Sequence, residues 1–295
     1  MAKVKTAVIT AAGFGTRFLP IVKSIPKEML PIVDKPILQY VVEECIEAEI
    51  ENIIVVVREG NDVIENYFTT ELKAAEELLE SVGKGDRYEP VRQLLSINGL
   101  KFVNQREDLP YGNGTPIISA KHLIPENEPF AVLFADDLVL AREKGALRQI
   151  IETFEEHDPI GIVGVQKTPK DELYRYGIVE PSEVYDEKSG VLDMIIEKPE
   201  PGEEPSDLAV FGRYVVSYDV FNYLREDATG KDNELWLSDA NDKLSRDGKF
   251  MYKVVEGKWM TTGDPARYFE AQVNYFLADP RYRDGANDFL QKLSQ

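Results

Sequence analysis

Short apolar runs rich in β-branched residues recur at residues 4–10, 52–57, 100–104, 130–134 and 160–165, with more polar, helix-compatible stretches between them. Runs that are apolar at nearly every position predict strands buried on both faces, and their alternation with helices predicts a doubly wound α/β layer. Residues 36–49 place Ile37, Leu38, Val41, Val42, Cys45 and Ile46 on one helical face, a stripe that packs a helix against that sheet. The second half changes character. Residues 178–179, 191–196 and 210–217 are separated by turn-forming stretches at 186–190 and 199–205, which predicts antiparallel strands added to the same sheet. Residues 234–244 read as a short helix and 250–255 as a strand. A helix is predicted over 265–277, with Asp264 as N-cap and Pro265 at its first position. No repeat, low-complexity tract or linker interrupts the pattern, so one domain over residues 1–295 is expected. The acidic stretch 71–86 is read as a helical excursion and 281–295 as a loose tail.

Composition narrows the partners. The formal charge of -19 over 295 residues repels nucleic acid and anionic membrane, so neither is an expected partner. A small phosphorylated ligand stays compatible, because salt screens the distant field within about 8–10 Å and a few local cations then decide binding. No apolar run approaches the roughly 20 residues that span a bilayer, and the first residues carry no signal-peptide pattern, so a cytoplasmic protein is expected. The single cysteine, Cys45, falls among apolar neighbours at helical spacing and reads as core.

The chemistry concentrates after the first strand, in Ala11-Ala12-Gly13-Phe14-Gly15-Thr16-Arg17 and then Pro26-Lys27-Glu28-Met29-Leu30-Pro31. Two close glycines permit a tight turn and let peptide N–H groups approach a phosphate. A dinucleotide fingerprint needs a third glycine near Phe18, and a Walker A loop needs Gly-Lys-Ser/Thr after the second. Neither is present, which disfavours a dinucleotide-dependent oxidoreductase and an ATP hydrolase. Arg17 and Lys27 instead bring fixed positive charge to one polyphosphate, with residues 19–26 as a loop that folds over it.

These segments resemble the signature of the sugar-phosphate nucleotidyltransferases, and KEMLPIVDKPILQYVVEE is especially similar to the bacterial-type members that use UTP and glucose 1-phosphate. The resemblance implies a Rossmann-like mixed sheet flanked by helices, the nucleotide-diphospho-sugar transferase fold, with a nucleotide half over about 1–140 and a sugar half over about 141–280. It implies that Ala11, Ala12, Gly13, Gly15 and Thr16 cradle the nucleotide, and that Gln105, Gly112 and Gly114 read the pyrimidine. Here Thr115 and Pro116 replace the usual His-Ala. It implies Asp136 as a magnesium ligand, with Asp137 beside it in the substrate site but pointing away to support the turn. On the sugar side it implies Glu197 for sugar hydroxyls, Gly177 to admit the ring and Lys198 for the sugar phosphate. Gly212 and Glu234 lie in segments that close over the sugar, where Trp236 replaces the usual glutamine, either stacking on the pyranose or filling core space. The largest departure is Thr261, which stands where the family places a second metal-ligating aspartate. Either Asp136 and phosphate oxygens suffice, or Asp264 reaches in, or activity is reduced.

The reaction so implied is attack of a sugar 1-phosphate oxygen on the α-phosphorus of UTP with loss of pyrophosphate, giving UDP-glucose. The nucleophile is already anionic, so no general base is needed, in keeping with His122 and His157 lying in unremarkable helical contexts. A thymidylyltransferase using dTTP and a catalytically impaired, nucleotide-sugar-binding regulator are the alternatives. The resemblance also implies a homodimer or homotetramer, with Tyr268, Phe269, Val273 and Phe276 as core or interface.

Overall fold

The computed structural model describes residues 3–60 and 62–293. In chain order its strands are β1 (Thr6–Ala11), β2 (Pro31–Ile32), β3 (Lys35–Pro36), β4 (Asn52–Val57), β5 (Leu100–Asn104), β6 (Phe130–Phe134), β7 (Asp137–Leu140), β8 (Gly161–Lys167), β9 (Gly177–Val184), β10 (Ser189–Glu197), β11 (Leu208–Val216), β12 (Phe250–Val254) and β13 (Lys258–Thr261). The α-helices are α1 (Ile37–Glu47), α2 (Asp62–Thr69), α3 (Lys73–Ser81), α4 (Glu89–Leu95), α5 (Thr115–Ala120), α6 (Ala146–His157), α7 (Leu237–Leu244), α8 (Pro265–Ala278) and α9 (Arg283–Leu293).

Nine strands form one mixed sheet in the order β5-β4-β1-β6-β11-β8-β12-β10-β9. The half from β5 to β6 is parallel. β11 then runs antiparallel to both β6 and β8, as the turn-rich second half predicted. The period of two divides the core into two layers. Ala7, Ile9, Ile53 and Val55 face a layer built by Leu38, Val41, Val42 and Cys45 of α1 and Leu147, Ile150 and Phe154 of α6. Val8, Ile54 and Val56 face the opposite layer, with Ile117 of α5 and Leu237 and Leu244 of α7. Cys45 is fully buried and its surroundings push the thiol up, as befits a core residue.

The first parallel strand ends at the glycine loop and β6 ends beside Asp136, so both stop at the carboxyl edge, where open α/β sheets bind ligands. A ribbon that the sequence pattern did not predict, β7 paired antiparallel with β13, sets Thr261 opposite Asp137. Two expectations need correction. The helix expected from residue 234 begins at Leu237, because Leu235 is drawn out by hydrogen bonds to the loop at Tyr111 and Gly114. Residues 283–293 are not a loose tail but helix α9, tied to α8 by Arg283, which donates to the carbonyls of Leu277 and Ala278 at 3.0 and 2.9 Å. Its Phe289 and Leu293 stand one turn apart, a spacing too sparse to signal a helix. Residues 294–295 lie outside the described residues.

Candidate active site

After β1 the chain turns through Gly15, whose φ of 60° suits glycine, into a short 3-10 turn at Thr16–Phe18. The loop lies on the stem of Lys27. A side chain on Gly15 would stand 3.3 Å from Lys27 Cβ and Cγ, and one on Gly13 would stand 3.6 Å from its Nζ. The peptide N–H groups from Gly13 to Thr16 find no acceptor among the described residues, so they are free to meet an anion. Ala11 and Ala12 are buried beneath this turn, and Thr16 and Arg17 are exposed on it.

The Lys27 ammonium meets Asp136 Oδ2 at 2.5 Å and lies 3.9 Å from Glu28 Oε1. Burial opposes the charge on Lys27, but the two carboxylates outweigh it and hold the ammonium well above its usual range. Asp136 is the reciprocal case. Burial favours its protonated form, but the charge and hydrogen bond of Lys27 hold it below the ordinary carboxylate range. Glu28, 2% exposed, is pushed up to about 7 by burial, with Lys27 only partly compensating. Sequence reasoning gave Glu28 no role, and a carboxylate flanked by Lys27 and Met29 carries no signal of burial.

Asp137 does turn away from the cleft, and its place among the substrate-binding residues is corrected. Its carboxylate accepts from Gly212 N at 3.0 Å and Trp259 Nε1 at 2.8 Å, and burial together with the Asp136 charge pushes it up to about 6. Gly212 is corrected with it. It lies buried within β11, where a side chain would collide with the Phe134 ring, so its role is to let the sheet pass under the site. The following residue, Arg213, is wholly buried. It forms a two-pronged pair with Glu44 of α1 at 2.9 and 2.8 Å and donates to the carbonyls of Phe134 at 3.2 Å and Asp137 at 2.7 Å. That fork fixes the turn that presents Asp136.

Thr261 comes up beside it. A side chain on Gly263 would stand 3.4 Å from Asp136 Oδ2, 3.4 Å from Thr261 Oγ1 and 3.6 Å from Arg17 Nη1, so the three groups line one small space that Gly263 leaves open. Asp264 does not reach in. Its Oδ1 caps α8, accepting from Ala266 N and Arg267 N at 3.1 Å each, and its Oδ2 faces Arg175 at 3.4 Å. The helix N-terminus holds it more firmly than a distant cation does. Among the described residues no three His, Cys, Asp or Glu side chains gather as a metal site. The oxygens that line the space beside Gly263 are those of the Asp136 carboxylate and the Thr261 hydroxyl.

On the nucleotide side, Gln105 is anchored by its own N–H to Val57 O at 2.7 Å, at the end of β4. Gly112 and Gly114 have a structural reason to be glycine. The Leu235 backbone crosses so close that a side chain on Gly112 would overlap it, and Gly114 N donates to Leu235 O at 2.8 Å. Nearby, Phe14 and Tyr111 are both more than half exposed with ring centroids 6.3 Å apart, and the Arg58 guanidinium lies 4.6 Å over Phe14. An aromatic residue between two loop glycines was the available sign of this pair.

The β10–β9 pair carries the residues expected on the sugar side. Glu197 sits opposite Gly177 in the β10–β9 register, and a side chain on Gly177 would stand 3.1 Å from Glu197 Oε2. Lys198 follows with its Nζ 4.0 Å from Glu197 Oε1 and 4.7 Å from the centre of the Trp236 ring. Glu234, half-buried, accepts from Gly230 N through its carbonyl at 2.8 Å.

Free amides, two cations on one sheet edge and a third cation on the neighbouring strand pair are suited to gathering phosphates, and no histidine takes part. The chain belongs to the nucleotidyl transferase family, whose model matches residues 6–276. It is 39% identical over 293 residues to UTP–glucose-1-phosphate uridylyltransferase 2 of Staphylococcus saprophyticus, covering 99% of each chain. Among solved structures it is similar to the UTP-bound UDP-glucose pyrophosphorylase of Acinetobacter baumannii, at 32% identity with a TM-score of 0.88 over 98% of this chain and 99% of that one. It also resembles a UDP-glucose pyrophosphorylase complexed with UDP-glucose, at 34% identity with a TM-score of 0.82 over 94% and 100%.

Proposed function

We propose that this chain is a UTP–glucose-1-phosphate uridylyltransferase, converting UTP and glucose 1-phosphate to UDP-glucose and pyrophosphate. Full-length similarity to proteins of that name supports the reading, as do similar structures holding UTP and UDP-glucose. The observation that carries it is the Lys27–Asp136 pair under a loop of unpaired amides, with a separate lysine–glutamate pair, Lys198 and Glu197, at the end of β10.

An oxygen of glucose 1-phosphate forms the new bond to the α-phosphorus of UTP as the bond to the β-phosphate oxygen breaks in line. Pyrophosphate leaves with that electron pair, and no proton need move at neutral pH. The amides of Gly13–Thr16 with Arg17 and Lys27 bind the triphosphate, Gln105 pairs with the uracil edge, and Glu197 accepts from sugar hydroxyls. Lys198 holds the sugar phosphate, so two mutually repelling anions are brought together. The oxygens of Asp136 and Thr261 suit a hard cation and would hold magnesium, which would supply neutralisation of charge on the phosphoryl groups. Exposed Phe269, Phe289 and Leu293 on α8 and α9 support a homodimer or homotetramer. Among the described residues no helix is long and apolar enough to cross a membrane. We assign the protein to the cytoplasm, the compartment that supplies both substrates.

The test is pyrophosphate release with glucose 1-phosphate and magnesium, comparing UTP with dTTP, CTP, ATP and GTP. Release with UTP is expected. Preference for dTTP makes it a thymidylyltransferase. No release with any pair, while UDP-glucose raises the melting temperature, makes it a nucleotide-sugar-binding regulator.

A further inference from the structure

The Trp236 indole is the part of the sugar-side wall to which the reaction above gives no role. Lys198 Nζ lies 4.7 Å from its ring centre, inside the range where an ammonium is drawn to an aromatic face. The lysine needs such a guide. Its side chain is 46% exposed, its backbone takes the left-handed conformation at a φ of 48°, and its base is pinned where Lys198 N donates to Tyr176 O at 3.1 Å, while the Glu197 carboxylate, at 4.0 Å from its ammonium, is at the outer limit of an ion pair. A four-carbon chain from that base sweeps a wide arc, and ordering it on binding costs rotamer entropy. The backbone on either side of Trp236 is fixed in its turn. Leu235 N donates to Tyr111 O, Gly114 N donates to Leu235 O and Leu237 N donates to Asn113 Oδ1, each at 2.8 Å, so residues 235–237 lie clamped on the loop 111–114.

We propose that Trp236 is a positioning residue for the sugar phosphate. Its indole presents the Lys198 ammonium to glucose 1-phosphate, and the clamp ties that placement to the loop on the nucleotide side. The inference rests on the reading of Lys198 as the sugar-phosphate cation. Stacking of the indole on the pyranose and simple filling of space are the competing roles, and both make separate predictions.

The experiment is a double-mutant cycle of Trp236→Leu and Lys198→Met, with Trp236→Phe as the conservative variant. Trp236→Leu is expected to raise KM for glucose 1-phosphate about 3- to 30-fold while leaving KM for UTP and the melting temperature nearly unchanged. Trp236→Phe should recover most of the loss, and Trp236→Leu should add nothing in the Lys198→Met background. A further loss in that background overturns the proposal in favour of sugar stacking, and a fallen melting temperature overturns it in favour of packing. A readout independent of turnover comes from fluorescence, since the chain has two tryptophans. Lys198→Met should change the emission of the ligand-free protein, and that change should vanish in the Trp236→Phe background. Emission indifferent to Lys198→Met overturns the proposal. Absence of turnover in the unaltered protein is instead a failure of the uridylyltransferase reading, and calorimetric titration with UDP-glucose then replaces KM in the same cycle.

Discussion

Lys27 sits between two carboxylates with opposite fates: Asp136 keeps its charge for the site, and Glu28 is pressed toward neutrality. The Glu28 shift has a sign that can be tested. A carboxyl whose folded value is raised from 4.5 to about 7 adds stability below pH 4.5 and loses it as pH rises through 7. Glu28→Gln should therefore flatten the fall in stability between pH 5 and 8, by up to about 3 kcal/mol, measured by urea denaturation across that range. A residual slope should persist, because Asp137, pushed up to about 6, acts in the same direction. At Thr261 the hydroxyl faces the same space as Asp136 and Arg17. Thr261→Asp adds a second carboxylate there, so the magnesium concentration giving half-maximal pyrophosphate release should fall on the order of tenfold. An unchanged requirement would place the ion elsewhere.

Among the elements, α1 helps to hold the site through Glu44. Glu44 accepts from Arg213 and also from Leu147 N at 2.9 Å, so one carboxylate pairs with the buried guanidinium and caps α6. Glu44→Ala leaves that guanidinium unpaired and should cost about 3–5 kcal/mol, read from chemical denaturation. The apolar stripe of α1 was legible because burial repeats every three or four residues, except for Ile46, which the structure leaves exposed. The fork was not, because Glu44 and Arg213 are 169 residues apart and each looks like a surface charge in its own segment. The same division holds elsewhere. The glycine loop, Lys27 and Asp136 could be read because strand ends and glycines mark them locally. The turning-away of Asp137 and the capping by Asp264 were read in the same way, but the partners that fix Asp137 and Gly212, Trp259 and Phe134, were not, since they arrive from other parts of the chain. Trp236 stayed open between stacking and core filling because its partner, Lys198, comes from the chain just after β10.

At the scale of the molecule, a charge of -19 repels anions at a distance, so the binding proposed for them depends on a few cations, Arg17, Lys27 and Lys198, close to where the phosphates would lie. Its largest uncovered apolar side chains include Phe269, Phe289 and Leu293, at 67%, 61% and 68% exposure. Replacing Phe289 and Leu293 together with glutamate should reduce the mass seen by light scattering to that of a single chain without lowering the melting temperature, and an unchanged mass would exclude α9 as the contact. The β7–β13 ribbon also bears on how the protein is made. Trp259 reaches Asp137 across 122 residues of chain, and Thr261 arrives with it. A ribosome delivers the glycine loop, Lys27 and Asp136 long before that strand emerges, so the nascent chain holds an incomplete pocket through nearly half of its synthesis. Closing so long a loop is a slow step. UTP thus has no finished site to enter until translation has passed Thr261, and capture of nucleotide by stalled chains of different lengths would show where that threshold falls.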